Sequence, residues 1–473
     1  MAAGVLTHAD GSPVAFAPVV AFSDTTTVST FTDVQGQYTL LAYPGDYRVS
    51  FSTNYGTQWA NGRSSAWQAD LVTVVAGTTV TVDEQLVPFS SVTVSAVDSV
   101  SGAPINEFCI QADFGFTCTT TGTVTDTDAL PGRYLVTVYP QDNVHLTGYG
   151  TVEVTSEATA TLTVSVDAGA TVTTTMTDRK TGAPVANACL QLVPVTEPWR
   201  LGMSYGTCSD ASGAVQATRV APGTYKAFVW ARDGVHGHQW VGPDGGVGQF
   251  KKAQTITISA GQAVAMPTIQ LDKAGTITGV VTDETTGAPV TGGKVGLASH
   301  HYGFGDSVYT VGIDSQGRYT MPNLGPYQWT VLFSATGYAQ EWMGDVANRD
   351  LAAHVKVFAG QTTTYDTSVG LGTTVTGEVV WPDGSPVPSA RIEFVNADTG
   401  ENMGVADLWL PAGPTYTAQV KGRQRVKIRY SASAYGESYS GWIGGTSFAD
   451  AAVYAIPRTE QYTLNLTLPA PTA

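Results

Sequence analysis

The chain predicts an all-β fold, a tandem array of five antiparallel β-sandwiches, and three observations carry that prediction. A Gly-containing turn runs into Pro and a β-branched residue five times: Asp10-Gly11-Ser12-Pro13-Val14, Ser101-Gly102-Ala103-Pro104-Ile105, Thr181-Gly182-Ala183-Pro184-Val185, Thr286-Gly287-Ala288-Pro289-Val290 and Asp383-Gly384-Ser385-Pro386-Val387. The copies stand roughly 80 to 105 residues apart, the length of one small β-domain. A second phrase keeps step, a turn before Tyr and an apolar strand: Pro44-Gly45-Asp46-Tyr47, Pro131-Gly132-Arg133-Tyr134, Pro222-Gly223-Thr224-Tyr225, Gly325-Pro326-Tyr327 and Gly413-Pro414-Thr415-Tyr416. The third is polar/apolar alternation with turn signals about every 8 to 12 residues, which puts one strand face in a core and the other in water.

Taken in order, the first domain is placed at 1–87, around the turn Asp33-Val34-Gln35-Gly36-Gln37-Tyr38. The second, 88–166, opens on the alternating run Ser91 to Val97 and closes on Ala160 to Val166. The third, 167–272, carries Thr255-Ile256-Thr257-Ile258, and the fourth, 273–371, closes on Thr364 to Val369. The fifth, 372–473, opens on Thr374 to Val380 and ends on Tyr462 to Leu468. Joins of a few residues restrict bending. A strand of about eight residues rises roughly 27 Å. Five domains end to end are thus expected to form a rod on the order of 150 to 200 Å long, the geometry of a stalk.

Length and charge exclude several classes. At 473 residues a single core is disfavoured. The 39 acidic against 23 basic residues give a net charge of −16, which repels phosphate backbones, so no nucleic-acid partner is expected. No stretch approaches the roughly 20 apolar residues of a membrane span. No charged leader with an apolar run precedes the first repeat. Leu468-Pro469-Ala470-Pro471-Thr472-Ala473 does not match a Leu-Pro-x-Thr-Gly sorting signal. The expectation is a mature secreted region or, alternatively, a virion component.

Four cysteines fall at matched places in neighbouring repeats. Cys109 and Cys189 each lie five residues after the repeat's Pro; Cys118 and Cys208 each follow a Thr ahead of the Pro-Gly-x-Tyr phrase. Equivalent positions imply equivalent partners, and facing antiparallel strands lie within disulfide reach. The reading is Cys109–Cys118 and Cys189–Cys208 disulfides, which belong outside the cytoplasm. Four buried thiols are the alternative, and a zinc site a third that lacks Cys-x-x-Cys and a His ligand at finger spacing.

The Gly-x-Pro-Val opening, the Asp-x-x-Gly-x-Tyr phrase at Asp33 to Tyr38 and Asp314 to Tyr319, the Pro-Gly-x-Tyr phrase and a final Ala-Gly turn together resemble carboxypeptidase regulatory-like domains. The resemblance covers nearly the whole chain. It implies seven-stranded, transthyretin-like or Ig-like sandwiches related to the Cna-B domains of Gram-positive surface proteins and to carbohydrate-binding-like folds. The second repeat lacks the Asp-x-x-Gly-x-Tyr phrase, and the fifth shows Asp407-Leu408-Trp409-Leu410 in its place. Cna-B domains often carry a Lys–Asn crosslink. Here the first Lys is Lys180, and Lys226, Lys356 and Lys427 lie out of the family order, Lys294 alone sitting on an early strand. No isopeptide is expected.

Several motifs suggest chemistry, each with a plainer explanation. Gly202-Met203-Ser204-Tyr205-Gly206 matches a nucleophile elbow, but no strand–turn–helix context surrounds it, so a hairpin loop is expected. His236-Gly237-His238 and His300-His301 lack a third ligand at a defined spacing, so exposed loop histidines are expected. Asp33 and Asp314 suit Asx-type turns better than a Ca²⁺ loop. No cofactor, metal or catalytic residue is assigned. Four repeats carry an aromatic insertion: Tyr55 and Trp59 with Trp67; Trp240; Tyr338 and Trp342; Tyr435 and Tyr439 with Trp442. Such rings can stack on sugars or anchor a protein, or they can close the end of a thin sandwich. The expected function is a non-catalytic extracellular stalk, adhesin segment or appendage subunit with a protein or glycan partner, or self-assembly. The alternatives are a carbohydrate-binding accessory region of a starch-acting system and a phage tail or decoration protein.

Overall fold

The computed structural model describes residues 1–23, 26–53, 56–63, 66, 69–88, 90–112, 115–155, 158–195, 207–297, 309–409, 414–434 and 437–469. The protein is all-β. Among the described residues helical turns are confined to Phe250–Lys252 and Arg349–Leu351, and no helix is long and apolar enough to cross a membrane.

The strands fall into five successive pairs of sheets. In each pair the opening strand is central, antiparallel to a mid-sequence strand and parallel to the closing one. Ala2–Thr7 lies between Gln37–Leu40 and the short pieces Val80–Thr81 and Glu84–Gln85. Ser90–Asp98 lies between Thr123–Ala129 and Thr159–Val166. Ala170–Asp178, Gly275–Asp283 and Thr373–Val380 hold the same place in the next three sandwiches. The facing sheet of the first sandwich runs Thr27–Phe31, Pro18–Phe22, Gly45–Thr53, Gly56–Trp59, and the other four repeat that order. Alternation does the sorting: Val49 and Phe51 enter the first core, whereas Ser50 between them faces outward.

Both repeated phrases are turn chemistry. The Asp before each Gly-x-Pro turn accepts from the backbone N–H and hydroxyl of a Ser or Thr, as Asp98 does from Ser101 and Asp283 from Thr286. The glycine takes the left-handed conformation, φ 67° at Gly102 and 69° at Gly287, and the Pro then bridges back to the opening strand. In the Asp-x-x-Gly-x-Tyr phrase, Asp33 Oδ1 accepts from the amides of Gln35 and Gln37, and Asp314 does the same for Gln316 and Arg318.

The tyrosine of that phrase closes a bulge. In the fourth sandwich the closing strand breaks at Tyr365-Asp366, the Tyr319 hydroxyl donates to the freed Tyr365 carbonyl at 2.7 Å, and Asp366 accepts from Val280 N–H at 2.9 Å. Tyr38 with Val82, and Tyr416 with Leu464, repeat the bond at 2.6 and 2.7 Å. Tyr416 therefore belongs with Tyr38 and Tyr319, not with the Pro-Gly-x-Tyr phrase in which the sequence reading placed it. The true corner residues, Tyr47, Tyr134 and Tyr225, each donate to the carbonyl four residues back. Trp329 makes that bond in the fourth sandwich, to Gly325 at 2.8 Å.

Sandwiches also pack side by side. Val193, Phe228, Trp240 and Ala253 of the third share one buried cluster with Ile277, Trp329 and Phe333 of the fourth. Leu332, Trp342 and Ala352 of the fourth enclose Met403 of the fifth. Trp59, Ala66 and Ala69 of the first join the core of the fifth, with Phe22 packed against them. The two ends of the array therefore meet. This corrects the expected end-to-end rod: the outward faces of the sheets are apolar at these places and bury one another, which short joins and net charge do not prevent.

Candidate functional site

One register position on the outward sheet face carries an aromatic ring in every sandwich. The cross-strand pairs are Ser50 with Trp59, Thr137 with Tyr149, Phe228 with Trp240, Leu332 with Trp342, and Arg429 with Trp442. Three of these rings seal a neighbour. Trp59 is 4% exposed beneath the fifth sandwich, Trp240 5% beside the fourth, and Trp342 0% against Met403. None of the three leaves a face for a sugar, so the ligand-binding expectation for them is corrected. Tyr338 donates to Asp283 at 3.0 Å. Tyr439 meets Trp381 edge-on at 5.8 Å, and Trp442 meets Phe448 at 5.4 Å. Tyr55, Trp67 and Tyr435 lie outside the described residues. Tyr149 was missed in the sequence because it is a lone Tyr where Trp59, Trp240, Trp342 and Trp442 carry the larger ring; strand register identifies it.

Charged groups stitch the seals. Arg349 pairs with Glu401 across the fourth and fifth sandwiches at 2.9 Å and lies over the Phe250 ring of the third at 4.5 Å. Burial pushes the Glu401 pKa up, against the pull of the Arg349 charge. Lys421 donates to Glu341 at 2.6 Å and to Asp345. Tyr327 of the fourth donates to Asp272 at 2.6 Å, and Arg179 of the third holds the same carboxylate at 3.0 Å. Lys226 and Lys427 stand at the same register position. Each donates to backbone carbonyls of an aromatic loop, at Phe250 and Lys251 and at Phe448 and Ala449, and each lies 4.6 Å from the Phe ring centroid. Lys356 donates to the Pro326 carbonyl.

Two histidines sit at joins between sandwiches, each between two carboxylates. His145 contacts Asp142 at 2.5 Å and Asp98 at 3.2 Å. His236 contacts Asp233 and, at 2.9 Å, Asp178. The loops that carry them bond the linker: Gly169 N–H to Val144, Gly237 N–H to Asp272, Ala274 N–H to Val235. His236 and His238 are 7% and 1% exposed, which corrects the expectation of exposed loop histidines. The His238 ring lies 5.7 Å from Trp230 and 4.7 Å from Tyr309. Burial pulls its pKa down to about 4. Both ring nitrogens of His145 and His236 face carboxylates of this chain, so neither ring presents a nitrogen to a substrate hydroxyl.

Burial draws the His236 pKa down, but the bonds and charges of Asp233 and Asp178 outweigh it and hold it above the ordinary value. A raised histidine contributes stability that is full at low pH and lost as pH rises through the folded pKa; the lowered carboxylates Asp178 and Asp233 contribute stability lost as pH falls through theirs. The join should thus be firmest between those limits. Exchange protection of the Gly237 and Ala274 amides should fall above the His236 pKa by more than base catalysis explains, and His236→Gln should flatten the profile. A profile identical in the two proteins would refute the clamp.

Cys109 faces Cys118 and Cys189 faces Cys208 in strand register, and both pairs are disulfide-bonded. Reduction should cost roughly 3 kcal/mol per bridge, read as a lower urea midpoint with dithiothreitol and confined to the second and third sandwiches. Among the described residues no group of three or more His, Cys, Asp or Glu is placed to hold a metal. Gly202 to Gly206, Ser204 included, and His300-His301 lie outside the described residues.

Residues 276–369 match the carboxypeptidase regulatory-like domain family. No curated protein matches the chain. Among solved structures, the Bacillus anthracis TIE protein is similar at 10% identity over 90% of this chain and 72% of its own, with a TM-score of 0.18. A streptococcal ancillary pilin is similar at 14% identity over 57% of this chain and 98% of its own, TM-score 0.24. BcpA, the major pilin subunit of Bacillus cereus, is similar at 11% identity over 57% of this chain and 99% of its own, TM-score 0.17. At these identities and scores the likenesses carry no argument about function.

Proposed function

We propose that the protein is a non-catalytic extracellular structural protein, a rigid assembly of five β-sandwiches bounded at 1–87, 88–166, 167–272, 273–371 and 372–473. The observation that carries this reading is the fate of the recurring outward ring. Where a binding module would offer it to a ligand, Trp59, Trp240 and Trp342 are buried against a neighbouring sandwich. Two disulfides suit an oxidising compartment. Mutual burial makes a fixed shape, suited to adhesive or appendage assembly, in place of the expected end-to-end stalk.

A carbohydrate-binding reading has one observation in its favour, a groove of about 360 Å³ on the fifth sandwich lined by Ser389, Ser431, Ser433, Ser440 and Tyr439, with Arg391 and Asp407 at 3.1 Å on its rim. A glycan array and retention on immobilised starch test the two. The structural reading expects no glycan bound and passage through the column; retention would establish the accessory role instead.

A further inference from the structure

The second sandwich leaves open the face that its neighbours bury. Tyr149 occupies the register position of Trp59, Trp240 and Trp342, yet it is 65% exposed, on the same sheet as Phe116 at 63% and Leu135 at 61%. These three side chains share one outward face. Strand alternation sends Val136 and Val138 into the core and Leu135 and Thr137 outward, and register sets Tyr149 opposite Thr137, with Phe116 and Thr137 both opposite Gln111. Three large apolar side chains, each more than 60% exposed, on one sheet face mark an interaction site.

We propose that this face docks the same face of a second copy of the chain, forming a two-fold dimer through the second sandwich. What covers the equivalent position in the first, third and fourth sandwiches is in each case another sandwich of this chain. The interface established three times within the molecule thus continues to a fourth place that the chain's own domains leave free. The charges suit a two-fold contact. Arg133 and Glu153 are exposed cross-strand partners on the rim of this face, so a two-fold axis passing at that rim would set the Arg of one copy against the Glu of the other. The centre of the face is uncharged, the least repulsive place for two molecules of net charge −16 to meet.

Sedimentation equilibrium on the full, oxidised chain tests this. The wild type should dimerise with a Kd in roughly the micromolar range, as expected of a small interface. Leu135→Glu/Tyr149→Glu should weaken association at least about thirtyfold without lowering the thermal midpoint, because both residues are exposed. Arg133→Glu should weaken it about tenfold, and adding Glu153→Arg should restore it. A wild type that stays monomeric at 100-fold above that range, or association untouched by the double variant, would overturn the proposal. So would a glycan retained through Tyr149 by a monomer. A monomeric wild type or an unaffected double variant leaves the structural reading of the whole chain standing, since that rests on the starch and glycan tests, whereas glycan retention would sink both.

Discussion

Replacing Arg349 with methionine should destabilise the protein by about 3 to 5 kcal/mol, the usual result of leaving one member of a buried ion pair uncompensated. Arg349 and Glu401 are 8% and 1% exposed and lie 2.9 Å apart, and the guanidinium also covers Phe250. The loss should therefore loosen the third, fourth and fifth sandwiches together. Urea denaturation followed by tryptophan emission reads it, since Trp240 and Trp342 flank the site. Arg349→Met/Glu401→Gln should recover most of the stability, because the stranded charge is then gone. A single-variant cost below about 1 kcal/mol would mean that water reaches the pair and that the seal is not dry.

Gly279→Ala should cost at least about 3 kcal/mol, the scale of severe overpacking against backbone. A Cβ there would stand 1.8 Å from the Tyr365 carbonyl oxygen, the atom held by Tyr319. Gly4 and Gly377 face the same clash, with Val82 and Leu464 at 2.0 and 1.9 Å. The third sandwich shows what relieves it. Its bulge, Met266 to Thr268, is one residue longer, and Thr174 stands where Gly4, Gly279 and Gly377 stand in the first, fourth and fifth sandwiches, its hydroxyl donating to the Pro267 carbonyl at 2.8 Å. Gly279→Ala should thus lower the fourth sandwich's midpoint, whereas Thr174→Ala should cost only about 1 kcal/mol, one neutral hydrogen bond. Equal effects would show that the bulge, not the side chain opposite it, sets the constraint.

Turn chemistry was legible in the sequence because it is local: an Asp, a Gly and a Pro within seven residues settle their own hydrogen bonds, as at Asp98 to Pro104. Strand alternation and cysteine placement were legible for the same reason. Tyr416 was misread because its Gly-Pro-Thr-Tyr wording matches the corner phrase, while its role depends on a carbonyl 48 residues away. The outward aromatics were visible as a repeat, but what covers Trp59 lies more than 300 residues along the chain. No local pattern encodes that contact. His145 went unnoticed because its counterpart in the fourth sandwich is Tyr338, a different residue making the same bond to the turn aspartate.

The mutual burial of the first and fifth sandwiches is the central claim, and small-angle X-ray scattering of the monomer at low concentration tests it most directly. A chain whose ends meet through Trp59, Ala66 and Ala69 should have a radius of gyration near 30 Å, somewhat above the roughly 23 Å of a fully compact chain of this length. A longest dimension on the order of 150 to 200 Å, that of five strand-length units in a row, would contradict it and restore the stalk.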